Sequence, residues 1–192
     1  MVVSGRGSNL MALQGQAARL GYEITGVVCN NENAPALSYA QSEGLAVAIV
    51  DHRHYAHSTL FETALAAAID AFKPDLIALA GFMRILGPAF VHHYLTRLIN
   101  IHPSLLPAFP GLDTHRRALE AGEREHGATV HFVTDALDGG PIIAQERLAI
   151  VPGEDPSKLA ARVLTLEHRL YPEVLGRFAR GEIHYPHSPE IS

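Results

Sequence analysis

The chain has 192 residues, a formal net charge of −5 and 47% apolar residues. That length suits one domain with an ordinary core. The absence of a Lys/Arg block argues against a nucleic-acid partner. The single cysteine, Cys29, excludes an internal disulfide framework, as expected of a reducing compartment. No apolar run approaches the roughly 20 residues of a membrane span. "MVVSGRGSNL" lacks the long apolar stretch of a secretion signal. A soluble cytoplasmic protein, with no membrane partner, is therefore expected.

The first half alternates strand and helix. "MVVSG" is a short apolar strand, and Leu10, Leu13, Ala17 and Leu20 then fall at helical spacing before Gly21. "EITGVVCN" is strand-like and places Cys29 on a buried strand. "APALSYAQSEG" is a helix entered at Pro35, and "LAVAIVD" another strand. Phe61, Leu65, Ala68, Ile69 and Phe72 make a helical stripe ended by Lys73-Pro74. "DLIALAGF" is the unbroken apolar run of a strand covered on both faces. "PAFVHHYLTR" is a short helix whose exposed end carries His92-His93, and "RLINIH" a further strand. This alternation predicts an α/β fold, a mostly parallel twisted sheet with helices on both faces. In the second half "ATVHFVTDALDGGPIIAQERLAIV" reads as two antiparallel strands joined by a Gly-rich loop. A long helix over about 156–180 follows, with a kink expected at Pro172. The tail from Ile183, with His184 and His187, is expected to be irregular. The charged "EREH" between two glycines predicts a mobile segment around 113–127.

"SGRGSNL" follows the first strand and opens the first helix. Glycines let backbone approach an oxyanion, and a helix N-terminus offers free N–H groups with a favourable dipole. Gly7, Ser8 and Asn9, with Gly5, can hold one phosphate. The stretch is neither a Walker A loop nor a full dinucleotide fingerprint, since Leu10 replaces the third glycine. A tight turn with Ser8 or Asn9 as helix cap explains it equally well.

Asn100 and His102, two apart on one strand, point to the same side at its carboxyl end, where open α/β sheets place ligands. The prolines of "NIHPSLLPAFPG" give the rigid support that a pre-organised site needs. Asp138 lies in the turn "DALDGGP". A carboxylate against His102 would orient the ring, and the Asn100 amide could donate to a developing oxyanion. Taken singly, each has a plainer explanation: a turn former, a satisfied strand-end histidine, an Asx turn. Spacing alone does not join residues 102 and 138. No nucleophile has a recognisable setting, since Ser104 lacks the nucleophile elbow. His102, His115, His126 and His131 raise a metal site, but neither HExxH nor a cysteine pair supports one. No metal is expected.

Taken together, "SGRGSNL", "LAGFMRIL", "NIHPSLLPAFPG", "GATVHFVTDALDGGPI" and "EHRLYP" resemble the phosphoribosylglycinamide formyltransferases in order and spacing, over nearly the whole chain. The resemblance implies one formyltransferase domain over 1–192. Residues of about 1–97 form its nucleotide- and phosphate-binding half, and about 98–192 its folate-binding and catalytic half. It implies formyl transfer from 10-formyltetrahydrofolate, as cosubstrate, to the amine of glycinamide ribonucleotide in purine synthesis. Partners are then these small molecules, with a homodimer left open as an assembly. Asn100, His102 and Asp138 match the family's catalytic triad, with Asn100 and a protonated His102 expected to meet the oxyanion of the tetrahedral intermediate. Gly7, Ser8 and Asn9 match its phosphate loop. Glu167 matches the carboxylate near the substrate's amine and ribose. Leu79, Phe82, Met83, Arg84, Ile85, Leu86 and Val91 match the folate pocket, with Val133 to Asp138 around the pterin ring. Two features depart from the family: only three residues precede Ser4, and Asp113 stands where bacterial members often carry His.

Three rivals are weighed. A formyltetrahydrofolate hydrolase would bring a "HHSFLP"-like proline motif and an N-terminal regulatory domain. A methionyl-tRNA formyltransferase would bring a further C-terminal domain and a basic surface. A non-enzymatic nucleotide-binding module explains residues 4–10 but leaves Asn100, His102 and Asp138 unused.

Overall fold

A computed structural model of the protein describes residues 1–186. One seven-stranded sheet runs through it, in the order β3-β2-β1-β4-β5-β6-β7. β1 (Val2–Val3), β2 (Val27–Cys29), β3 (Val47–Ile49), β4 (Ile77–Ala80) and β5 (Leu98–His102) are mutually parallel. β6 (Glu125–Phe132) and β7 (Ile142–Ala149) continue the sheet antiparallel, as the sequence suggests. The expected strands shorten at their ends: of "EITGVVCN" only three residues join the ladder, and β1 has two. Just before β1 and β2 the amino group of Met1 donates to the Gly26 carbonyl at 2.7 Å.

The two faces of the sheet have separate cores because strand side chains alternate. Val3, Cys29, Ala78, Ala80, Ile99 and Ile101 pack under α1 (Ser8–Leu20), α2 (Pro35–Ser42) and α6 (Pro156–Ala179). Val2, Val28, Ile77, Leu79 and Leu98 pack under α3 (Ser58–Asp70) and α4 (Pro88–His93). α6 runs through Pro172 as one helix and buries Leu159, Val163, Leu166, Leu170 and Val174. The Tyr171 hydroxyl donates to the Leu79 carbonyl at 2.9 Å and lies 3.4 Å from that of Ile99, tying α6 to the two central strands.

Segment 113–127, read from sequence as a mobile loop, holds α5 (Thr114–Glu120) and the start of β6, which leaves a short turn at 121–124. Asp113 takes the N-cap position of α5 with φ +57° and pairs with Arg116 on the surface. Of the tail, residues 182–186 are irregular, yet Ile183 is buried and Tyr185 stacks edge-on against Phe132. His187 lies outside the described residues. No helix among the described residues is long and apolar enough to cross a membrane.

Candidate active site

β1 and β4 are neighbours, but the chain leaves β1 toward β2 and returns to β4. The carboxyl ends of these strands therefore flank the switch point at which open α/β sheets bind ligands. Residues 4–9 leave β1 there, and residues 81–86 leave β4. A cleft of about 300 Å³ opens between Ser4, Asn30, Asn31, His52, Arg53, Met83 and Arg84. Sequence reasoning named only Met83 and Arg84 of this lining.

Gly7 caps α1 with φ +78° and carries no side chain to occupy the helix end. The first intrahelical bond runs from the Met11 amide to the Gly7 carbonyl, so the amides of Ser8, Asn9 and Leu10 have no acceptor within the helix. These are the groups an anion would meet. The bare Cα of Gly7 has a second cause that the sequence did not show: a Cβ there would lie 2.8 Å from the Ala36 Cβ, against the first turn of α2. The side chain of Asn9 turns inward instead, and its Nδ2 donates to Glu167 Oε2 at 2.8 Å.

At the end of β5 the α3/α4 face of the sheet is covered by loops rather than by a helix. Cross-strand pairing sets Asn100 against His131 and His102 against Thr129, all four on that face. Asp138 reaches the same place from the loop between β6 and β7, with its own φ at +50°. Its Oδ2 lies 3.4 Å from His102 Nδ1 and accepts from the Gly111 amide at 2.8 Å, while its Oδ1 lies 3.6 Å from His131 Nε2. The expected trio thus converges. Burial pushes the Asp138 carboxyl up, but His131, the Gly111 amide and His102 together outweigh it and hold its pKa below the ordinary carboxylate value.

His102 is 6% exposed, and its other ring nitrogen, Nε2, lies 3.0 Å from the Phe109 carbonyl. Two acceptors on one imidazole favour its charged form. Burial opposes them as the largest effect, helped by His131 and Arg117, and the net pKa lies below the usual histidine value. Burial therefore favours the neutral ring in the free chain.

His131, which the sequence offered only as one of four histidines of a metal set that was not adopted, lies beside Asn100 and Asp138. Its Nδ1 lies 2.8 Å from the Phe132 carbonyl, and its Nε2 lies 3.3 Å from Asn100 Nδ2 and 3.6 Å from Asp138 Oδ1. It thereby links the Asn100 amide to Asp138. With β6 paired to β5 in the observed register, Asn100 opposite His131, the two residues share one face of the sheet. His115 and His126 stack edge to face, 5.2 Å between centroids, each with one buried ring nitrogen that lacks a partner among the described residues. The group spaced for an ion among those residues is instead Glu32, Asp51 and His54. There Arg53 pairs with both carboxylates.

The apolar set at the end of β4 splits. Leu79 is buried in the core beneath α3 and α4, Phe82, Leu86 and Val133 pack partly buried against it, and Val91 is a buried residue of α4 itself. Met83 and Ile85 are 75% and 82% exposed, and the Arg84 guanidinium lies over the Phe61 ring. The Met83 amide donates to Ser4 Oγ at 3.2 Å, joining the β1 and β4 loops.

This arrangement has close counterparts among known proteins. The family model described as "Formyl transferase" matches residues 1–175. The phosphoribosylglycinamide formyltransferase of Escherichia coli is 44% identical over 95% of this chain and 87% of its own. The structure of the phosphoribosylglycinamide formyltransferase of Coxiella burnetii, in complex with CHES, superposes with a TM-score of 0.93 at 50% identity, over 97% of this chain and 88% of that one. That of Brucella melitensis superposes with a TM-score of 0.87 at 45% identity, over 96% of each chain. The chain belongs to the formyl transferase family.

Proposed function

We propose that this protein is a phosphoribosylglycinamide formyltransferase, which moves the formyl group of 10-formyltetrahydrofolate to the primary amine of 5-phosphoribosylglycinamide. The observation that carries the reading is the convergence of Asn100, His102 and Asp138 at the end of β5, in a chain with such relatives. The substrate phosphate sits on the amides of Ser8 and Asn9, with Gly7 bare beside them. Glu167 faces the amine and ribose. The folate lies along Met83, Arg84, Ile85 and Leu86, with Leu79, Phe82 and Val91 behind it, and residues 133–138 meet the pterin ring.

The neutral amine attacks the formyl carbon, and the carbonyl π pair moves onto oxygen. Asn100, which His131 links to Asp138, donates to that oxyanion through its side-chain amide. Such a donor is typically worth about 3–4 kcal/mol of barrier. Negative charge at this point raises the proton affinity of His102, which Asp138 holds in place. The proton of the attacking nitrogen passes through water, with the help of His102 and Asp138, to N10 of the folate; the oxyanion pair then re-forms the C=O bond as the C–N10 bond breaks, its electron pair leaving on N10. Holding both substrates together supplies much of the remaining acceleration. Residues of this chain account for each step, so no metal is assigned.

The test is product analysis. With both substrates present, mass spectrometry should find one formyl group on the glycinamide ribonucleotide. Its absence, with folded protein, would overturn the reading.

A further inference from the structure

Asn9 and Glu167 form a buried pair that joins the start of α1 to the middle of α6. They are 7% and 8% exposed, and the 2.8 Å bond from Asn9 Nδ2 is the one hydrogen bond the Glu167 side chain makes among the described residues. A carboxylate is costly in such a place: burial raises its pKa, and Asn9 is the group that works against this. Tyr171, one turn further on, offers no relief, because its hydroxyl proton is engaged by backbone carbonyls of β4 and β5. As mere glue between two helices the pair would be a poor device, since a buried charge with a single neutral partner returns less than its desolvation costs. Strained carboxylates of this kind gather at functional sites. Asn9 also carries one of the amides left open at the N-terminus of α1.

We infer that the Asn9 side chain is a positioning group: its carboxamide aims the Glu167 carboxylate at the amine and ribose end of the bound nucleotide, while the amide of the same residue meets the phosphate. One residue thus sets the distance between the two ends of one substrate. The inference rests on the proposed acceptor and assigns Asn9 a role that its membership of a phosphate loop does not contain.

The experiment is a double-mutant cycle of Asn9→Ala and Glu167→Gln, with rates counted per folded protein. Asn9→Ala should lower kcat/KM for glycinamide ribonucleotide about tenfold, with KM for the formyl folate changed less than about twofold. Added to Glu167→Gln, the same change should cost less than about threefold, because its effect passes through the carboxylate. Binding of inorganic phosphate, followed by calorimetry, should be the same in Asn9→Ala as in the parent. Asn9→Ser, which keeps a donor in less volume, should recover part of the loss, and replaces Asn9→Ala in the cycle if that variant does not fold. An equal loss in both backgrounds, or a loss of phosphate binding that matches the loss in kcat/KM, would overturn the inference. A parent protein that does not formylate the nucleotide overturns the functional reading itself, and this is seen before any variant is compared.

Discussion

The Asp138 carboxylate reaches His102 from a different loop and serves two masters there: Oδ2 lies 3.4 Å from the ring Nδ1 and also accepts from the Gly111 amide at 2.8 Å. The same carboxylate therefore orients the imidazole and pins the proline-rich loop that follows β5. Removing its charge should disturb both.

His102→Ala and Asp138→Asn should each lower kcat by about 100-fold or more, with a much smaller change in folate affinity, because both groups act on charge that develops in the transition state. Their losses should be less than additive, since they serve one proton and one oxyanion. Steady-state kinetics on folded variants checks this; near-normal turnover by His102→Ala would refute the assignment.

Gly7→Ala should destabilise the fold as well as weaken substrate binding. The new Cβ meets Ala36 at 2.8 Å, at a backbone φ of +78° that side chains disfavour. A loss of about 2–4 kcal/mol follows from overlap plus strain, visible as a lower Tm. An unchanged Tm would show that α2 moves aside freely.

Acid should unfold the protein through its histidines before its carboxylates. His126 is 1% exposed, and burial, aided by the charges of His115 and His102, lowers its pKa from 6.5 to about 4. The unfolded chain thus binds its proton more readily, so the stability tied to this residue is complete above about pH 6.5 and is lost as pH falls toward 4. His102, His115 and His168 are shifted the same way by burial. Asp51 and Asp155, whose pKa values are lowered by their hydrogen bonds, matter only below the ordinary carboxylate range. Tm should fall between pH 7 and 5, and His126→Gln should flatten that slope. Equal slopes for parent and variant would contradict this.

Tyr171→Phe should cost about 1–2 kcal/mol of stability, because it leaves the Leu79 carbonyl without its donor in the core. Denaturant unfolding measures it. A stability equal to the parent's would mean that this bond does not hold α6 to the sheet.

The alternation of strand and helix was legible because each strand carries an apolar run and each helix a stripe, and both survive shortening at the ends. The pairing of Asn100 with His102 followed from a period of two. What joined Asp138 to them was family resemblance, since a contact between a strand end and a distant turn leaves no local periodic trace. α5 was hidden for a related reason: seven residues of "THRRALE", only two of them buried, give too little pattern to separate a helix from a charged loop. The inward turn of Asn9 was invisible because its partner lies on α6, and glycine-rich loops predict backbone rather than side-chain direction. The place of His131 beside Asn100 went unseen because the histidines were compared by sequence distance instead of by strand face.

The most direct test of the account is the release of folate from 10-formyltetrahydrofolate with and without glycinamide ribonucleotide. The account predicts that tetrahydrofolate appears only when the nucleotide is present, in one-to-one ratio with formylated product. Release at the same rate without the nucleotide, with free formate as the other product, would make the protein a hydrolase and contradict it.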